Sequence, residues 1–159
     1  MLAAVAPASA DERMILGAGF TAVQRPTATE IDRPLLGPTL SGTFLEIEHD
    51  DWRLRPGIDV QLTTTFRSDR LWLADLSVAW VATLALTEIA CNPFVSFGGV
   101  TGFVGTDDGG EARWAVGVRA DAGLHGILFD GLYWRAKAGF VAVGVAGIRY
   151  EVMVGHAFD

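Results

Sequence analysis

Histidines, cysteines, serines and paired carboxylates are the usual raw material of catalytic and metal sites, and this 159-residue chain spaces few of them usefully. Its three histidines, His49, His125 and His156, fall at two predicted turns and one strand end, which makes no metal set. Ser77 and Ser96 face a common interior in the reading below, but no histidine is predicted beside either, so a nucleophile with its base is not expected. Cys91 is the single cysteine and sits at a predicted turn, an incidental thiol that excludes an intrachain disulfide. Glu46 and Glu48 share a strand face and are the one candidate acid pair; the plainer reading is a carboxylate cluster neutralised by Arg119 or Arg135. Gly98-Gly99 and Gly109-Gly110 read as a thinned strand and a turn, without the strand-to-helix setting of a phosphate loop. The sequence therefore predicts no catalytic residue, no metal and no cofactor.

The remaining charged residues are informative because of the elements that carry them. From Arg13 onward the recurring pattern is alternation with period two. Ile58, Val60, Leu62, Thr64 and Phe66 oppose Asp59, Gln61, Thr63 and Thr65. Trp114, Val116, Val118, Ala120, Ala122 and Leu124 oppose Arg113, Gly117, Arg119, Asp121 and Gly123. Leu132, Trp134, Ala136, Ala138, Phe140 and Ala142 oppose Tyr133, Arg135, Lys137 and Gly139. Tyr150, Val152, Val154 and Phe158 oppose Arg149, Glu151 and Met153. Fainter rows are Met14, Leu16, Ala18, Phe20 and Ala22; Thr43, Leu45 and Ile47 against Glu46 and Glu48; and Val95, Phe97 and Phe103 against Ser96, Gly98 and Gly102. The stretch 71–86 completes eight, with Trp72, Ala74, Leu76, Val78, Trp80, Ala82 and Leu84 opposite Asp75, Ser77 and Thr83. Its Trp72, Leu76, Trp80 and Leu84 also suit a helix, but Trp, Val and Thr are mediocre helix formers, and strand is the reading adopted.

Between the rows lie turn signals: Thr106 to Glu111, Arg67 to Arg70, and Asp50 to Gly57 with Pro56-Gly57. Asn92-Pro93 is read as the stop of the fourth strand, and Arg25 to Pro38, with three prolines, as the longest connection. Residues 1–10 read as the tail of a secretory signal with Ala8-Ser9-Ala10 as its cleavage pattern, leaving 11–159 as one β-barrel domain. Short links between successive strands imply an all-β, eight-stranded antiparallel up-and-down barrel.

Alternation alone does not say which face is inside. A soluble barrel keeps its apolar row inside, whereas a membrane barrel turns it outward and fills its lumen with polar groups. The apolar rows carry Phe20, Phe66, Trp72, Trp80, Phe97, Phe103, Trp114, Trp134, Phe140 and Phe158, more aromatic volume than the interior of eight strands holds. These are therefore expected to face lipid. The polar rows carry Glu46, Glu48, Asp59, Asp75, Asp121 and Glu151 with Arg113, Arg119, Arg135, Lys137 and Arg149, which can neutralise one another in a lumen. Half the chain is apolar, only 19% is charged and the mean hydropathy is +0.32, yet no apolar run of helix-spanning length is present. A net charge of −7 argues against nucleic acid as a partner.

Two runs then carry a resemblance: Asn92 to Val104, and the closing Arg149 to Phe158. Both resemble strands of the small eight-stranded bacterial outer-membrane barrel proteins. The resemblance implies a transmembrane barrel in the outer membrane, contact with outer-membrane lipid, and recognition of the last strand by the barrel-assembly machinery. Here the terminal aromatic, Phe158, is followed by Asp159, and His156 stands where an apolar or aromatic residue is usual. Lipid A deacylases on the same barrel use a histidine and a serine two residues apart; the residues two after His49, His125 and His156 are Asp51, Ile127 and Phe158, so that activity is not carried over. The expected function is a non-enzymatic envelope or partner-docking barrel with a charge-filled lumen and no open pore. The alternatives are a lipid-modifying enzyme on the same barrel and a soluble barrel that binds an apolar ligand.

Overall fold

The computed structural model describes residues 11–24, 33–48, 54–66, 71–86, 91–106, 111–128 and 131–158, with side chains except at 11–13, 45–48 and 145. The signal-like residues 1–10 and the turn 67–70 lie outside them. Eight strands follow one another: β1 (Asp11–Gln24), β2 (Leu35–Glu48), β3 (Leu54–Phe66), β4 (Leu71–Leu84), β5 (Asn92–Thr106), β6 (Arg113–Ile127), β7 (Leu132–Val143) and β8 (Val145–Phe158). Each pairs antiparallel with its neighbours in sequence, and β1 pairs with β8, so the sheet closes. At 12 to 15 residues the strands exceed the roughly 9–11 needed to cross a bilayer.

The stretch compatible with a helix is strand. β4 pairs residue by residue with β3 from Leu54–Leu84 to Phe66–Trp72, and with β5 from Leu71–Thr106 to Thr83–Phe94. Its four-residue spacing is a multiple of two, and neighbouring strands on both sides supply hydrogen bonds that a lone helix would forgo.

Three connections differ from expectation. Pro38 lies within β2, opposite Phe20, so the β1–β2 connection is shorter than Arg25 to Pro38. A proline has no N–H to donate, and the β2–β3 ladder accordingly runs through Leu36–Phe66 and resumes at Thr39–Thr63. Pro56-Gly57 belongs to β3, facing Val81 and Ala82, rather than to a turn. Asn92-Pro93 opens β5 instead of ending β4, which stops at Leu84; the Asn92 side chain accepts a hydrogen bond from the Leu86 amide at 2.9 Å. The shortest link is a single residue, Gly144, whose φ of 63° lies in the left-handed region that glycine adopts freely.

One facing assignment is also corrected. Thr43 is buried and points into the lumen, not along an apolar outer row with Leu45 and Ile47. Ile15 pairs with Thr43 but Arg13 pairs with Glu46, so three steps of β2 match two of β1. This bulge reverses the alternation beyond it, which a period-two count cannot detect.

Close strand approach constrains the lumen at Gly117. A Cβ there would stand 1.5 Å from the carbonyl oxygen of Ala142, a backbone atom that no rotamer change moves. Gly117→Ala is expected to lower the urea midpoint of the detergent-refolded protein or to abolish folding. An unchanged midpoint would show that the strands can part there.

Candidate functional site

The outer wall decides what surrounds this barrel. Among the residues whose side chains are described, no outward position of any strand carries Asp, Glu, Lys or Arg. Its polar exceptions are Gln24, Thr64, Thr101, Tyr150 and His156. Phe20, Phe66, Trp80, Phe97, Phe103, Trp114, Phe140 and Phe158 are exposed on this wall, Trp114 at 64%. Trp72 and Trp134 are also on outward positions but half-buried. Trp72 lies against the backbone of Gly105, where a Cβ would come within 2.7 Å of its ring. Phe66, Trp72, Trp114, Trp134 and Phe158 lie within two residues of a strand end, while Trp80, Phe97 and Tyr150 stand further in, among aliphatic residues such as Leu40, Leu62, Leu76, Val118 and Val152. That is the surface of a sheet surrounded by hydrocarbon.

The lumen is the inverse, and it is layered. Near the end where β1 finishes, Val23, Leu35, Leu73, Val100, Val141 and Val143 pack into an aliphatic layer. Near the opposite end, Ile15, Tyr133, Met153 and Ala157 pack together. Between these layers lies a charged network.

Its centre is Asp59 on β3. Arg119 Nη2 donates to Asp59 Oδ2 at 2.6 Å, and Arg135 Nη1 donates to Oδ1 at 3.0 Å. The hydroxyls of Ser41 and Thr43 donate to the same Oδ1 at 2.7 and 3.3 Å. Arg135 Nη2 reaches Glu151 Oε1 at 2.9 Å, and Lys137 bridges Glu151 and Asp121 at 3.5 and 3.4 Å. Gln61 ties the halves together: it accepts from Arg119 and from Lys137 and donates to Glu151. Ser96 donates to Asp121 at 3.1 Å. A second pair stands apart, Arg149 Nη2 on Asp75 Oδ2 at 2.6 Å, spanning β8 to β4. Four acids and four bases are thus buried together, so the network is neutral.

Two predicted members sit elsewhere. Arg113 is on an inward position but exposed at the start of β6, where the lumen meets the barrel's end. Glu46 and Glu48 pair by backbone with Arg13 and Asp11, and their side chains lie outside those described. Their expected pairing with Arg119 or Arg135 is therefore not among the contacts above. Gln61, Ser41, Thr43 and Ser96 were not singled out as network members in the sequence. Position was the available signal, since Gln61 and Ser96 stand on polar rows beside Asp59 and opposite Asp121.

His125 is inside β6 rather than at a turn. Its ring stacks edge-on against Phe94 at 5.3 Å and lies 5.6 Å from Tyr133, while Nε2 is 3.1 Å from the Thr83 hydroxyl. Thr83 is 2% exposed, which denies a substrate access to this pair. The space beside it, also lined by Arg135 and Thr43, is about 10 Å³, room for roughly one water. Among the described residues, no cluster of three potential metal ligands occurs.

Solved structures share this architecture. The attachment invasion locus protein of Yersinia pestis aligns over 93% of this chain and 99% of its own, with a TM-score of 0.67 at 14% identity. The N-terminal β-barrel domain of Pseudomonas aeruginosa OprF aligns over 94% and 100%, with a TM-score of 0.69 at 10% identity. Neisserial surface protein A aligns over 91% and 95%, at 0.61 and 12%. No protein-family model and no curated protein sequence matches the chain. The fold is that of these small outer-membrane β-barrels, and an apolar wall around a polar lumen is the arrangement of a membrane barrel. The apolar, roomy interior that a soluble ligand-binding barrel requires is not what the described lumen contains.

The isolated pair gives a clean test. Asp75→Leu leaves the Arg149 guanidinium buried without a counter-charge and is expected to cost roughly 3–5 kcal/mol in urea unfolding from detergent. Asp75→Leu combined with Arg149→Met is expected to recover most of that loss. A double-variant loss equal to the sum of the Asp75→Leu and Arg149→Met losses would show that the two side chains are not energetically coupled.

Proposed function

We propose that the chain is a non-enzymatic barrel of the bacterial outer membrane, serving the envelope as a structural element or as a docking platform, and that it conducts no solute. The observation that carries this reading is the lumen: its buried charges neutralise one another and an aliphatic layer lies across one end. An enzyme on this scaffold needs a reactive group open to substrate, and the Thr83–His125 pair is closed in. A pore needs a continuous aqueous path, and eight strands enclose little more than their own side chains.

Docking would then fall to the barrel's ends. The Yersinia pestis attachment invasion locus protein has been solved in complex with the heparin analogue sucrose octasulfate, an example of ligand binding by a barrel of this fold. In this chain most strand connections are short, and only the one after β1 has reach, which favours a compact partner over a long adhesive contact. The closing run of β8, ending in Phe158, is the segment the assembly machinery would read, and lipid is the partner of the wall.

Refolding in detergent followed by SDS gel electrophoresis with and without boiling tests the barrel, and planar-bilayer recording tests the closed lumen. A mobility shift without stepwise conductance is expected. Monomers that stay soluble without detergent and show no shift would favour a soluble barrel, and stepwise conductance would overturn the sealed lumen.

A further inference from the structure

The charged network is neutral, but Arg55 adds a further cation at the end of the lumen where β1 begins and β8 finishes. There the small space beside His125 is walled by Arg55 and Thr83 from β3 and β4 and by His125 and Arg135 from β6 and β7. The register sets these residues as two pairs, Arg55 opposite Thr83 and His125 opposite Arg135. The 3.1 Å contact between His125 Nε2 and the Thr83 hydroxyl joins the pairs across the lumen. Among the described residues, two guanidinium groups line this space and no carboxylate does.

We propose that this space is a binding site for one monovalent, monatomic anion, with chloride as its ordinary occupant. Arg135 is 2% exposed and gives its terminal nitrogens to Asp59, Ser41 and Glu151. Its Nε is buried with no hydrogen-bond partner among the described residues, and a buried charged donor strongly favours an acceptor. The half-buried Arg55 side chain carries five N–H donors of its own. Two guanidinium groups facing one small space repel each other, and an anion between them turns that repulsion into attraction. When His125 Nε2 carries its proton toward Thr83, the Thr83 hydroxyl proton can turn to the same anion. A volume of about 10 Å³ admits one halide, little larger than water, and excludes a phosphate or a polyatomic solute. Water also fits, but leaves the two cations without a counter-charge. Below the site, the contacts of Arg119 and Arg135 with Asp59 close the lumen, so the anion leaves by the mouth it entered.

NMR of the arginine Nε–H groups of the full chain, refolded in an uncharged detergent, tests this by titration with sodium chloride, sodium bromide and sodium gluconate at matched ionic strength. The Arg135 Nε–H signal is expected to shift saturably with chloride and bromide and to stay in place with gluconate, which is too large to enter. The Arg149 Nε–H signal, from the pair with Asp75, is the internal reference and is expected to stay in place throughout. Arg55→Gln is expected to weaken halide binding about tenfold, the order of one hydrogen bond from a charged donor. Heat-shifted gel mobility verifies folding, and Val81→Leu, which adds a methylene to the lining, replaces Arg55→Gln should that variant fail to fold. An equal shift with gluconate, no shift with any salt (water alone in the space), or undiminished halide affinity in the folded variant would each overturn the proposal.

Discussion

Hydrocarbon offers no partner to a peptide group, so a strand that crosses it must be hydrogen-bonded along both edges. The closure of β1 onto β8 meets that demand, and most other features of this chain follow from it. Closure with eight strands fixes a narrow lumen. Lipid outside demands apolar outward positions, which leaves every charge of the strands to be placed inside. The alternation of the sequence records both demands at once, Trp or Leu on one step and Asp or Arg on the next.

A lumen this narrow lets long cations reach across it. Arg119 on β6 and Arg135 on β7 both arrive at Asp59 on β3, and Arg149 on β8 arrives at Asp75 on β4. These contacts join strands that are not neighbours in the sheet, which backbone pairing cannot do. Room for them comes partly from β1, whose inward residues from 15 to 23 are Ile15, Gly17, Gly19, Thr21 and Val23. Met153 from β8 fills the space at Gly17, where a Cβ would come 2.7 Å from its sulfur.

The sequence makes the strand order, the two faces and most of the lumen charges legible, because period-two alternation is a local property that lipid and lumen impose on every strand. It hides what depends on a neighbour. Thr43 was misplaced because a bulge against β1 reverses the alternation beyond it, and a bulge belongs to a pair of strands rather than to one. Pro38 and Pro56 look like punctuation but sit in strands, tolerated where a ladder bond is absent or a partner is lost. His125 stands between Gly123 and Gly126, so local composition suggests a turn, yet its register opposite Asn92 and Arg135 places it inside. Acids and bases can be counted in sequence; that Asp59 receives both Arg119 and Arg135 depends on which strands face one another across the lumen.

Why such a lumen should be charged at all is a question of specificity more than of stability. A buried ion pair is often no better than a well-packed apolar pair of the same volume, because desolvating two charges offsets their attraction. Register gives the charges a different role. A strand has a side-chain period of two, so a slip of one residue moves its entire inward set to the outer wall. An apolar lumen would let such a slip pass cheaply, since Val and Leu are at home on either face. In β7 the same slip would carry Arg135 and Lys137 into hydrocarbon, at roughly 2–4 kcal/mol each near the midplane, while stranding Asp59, Asp121 and Glu151 inside. β6 and β8 are held likewise through Arg119, Asp121, Arg149 and Glu151. The charges thus penalise every slip by an odd number of residues more than they favour the right register, and a closed barrel, whose eight ladders must all agree for the last to form, is the fold with most to gain from that penalty.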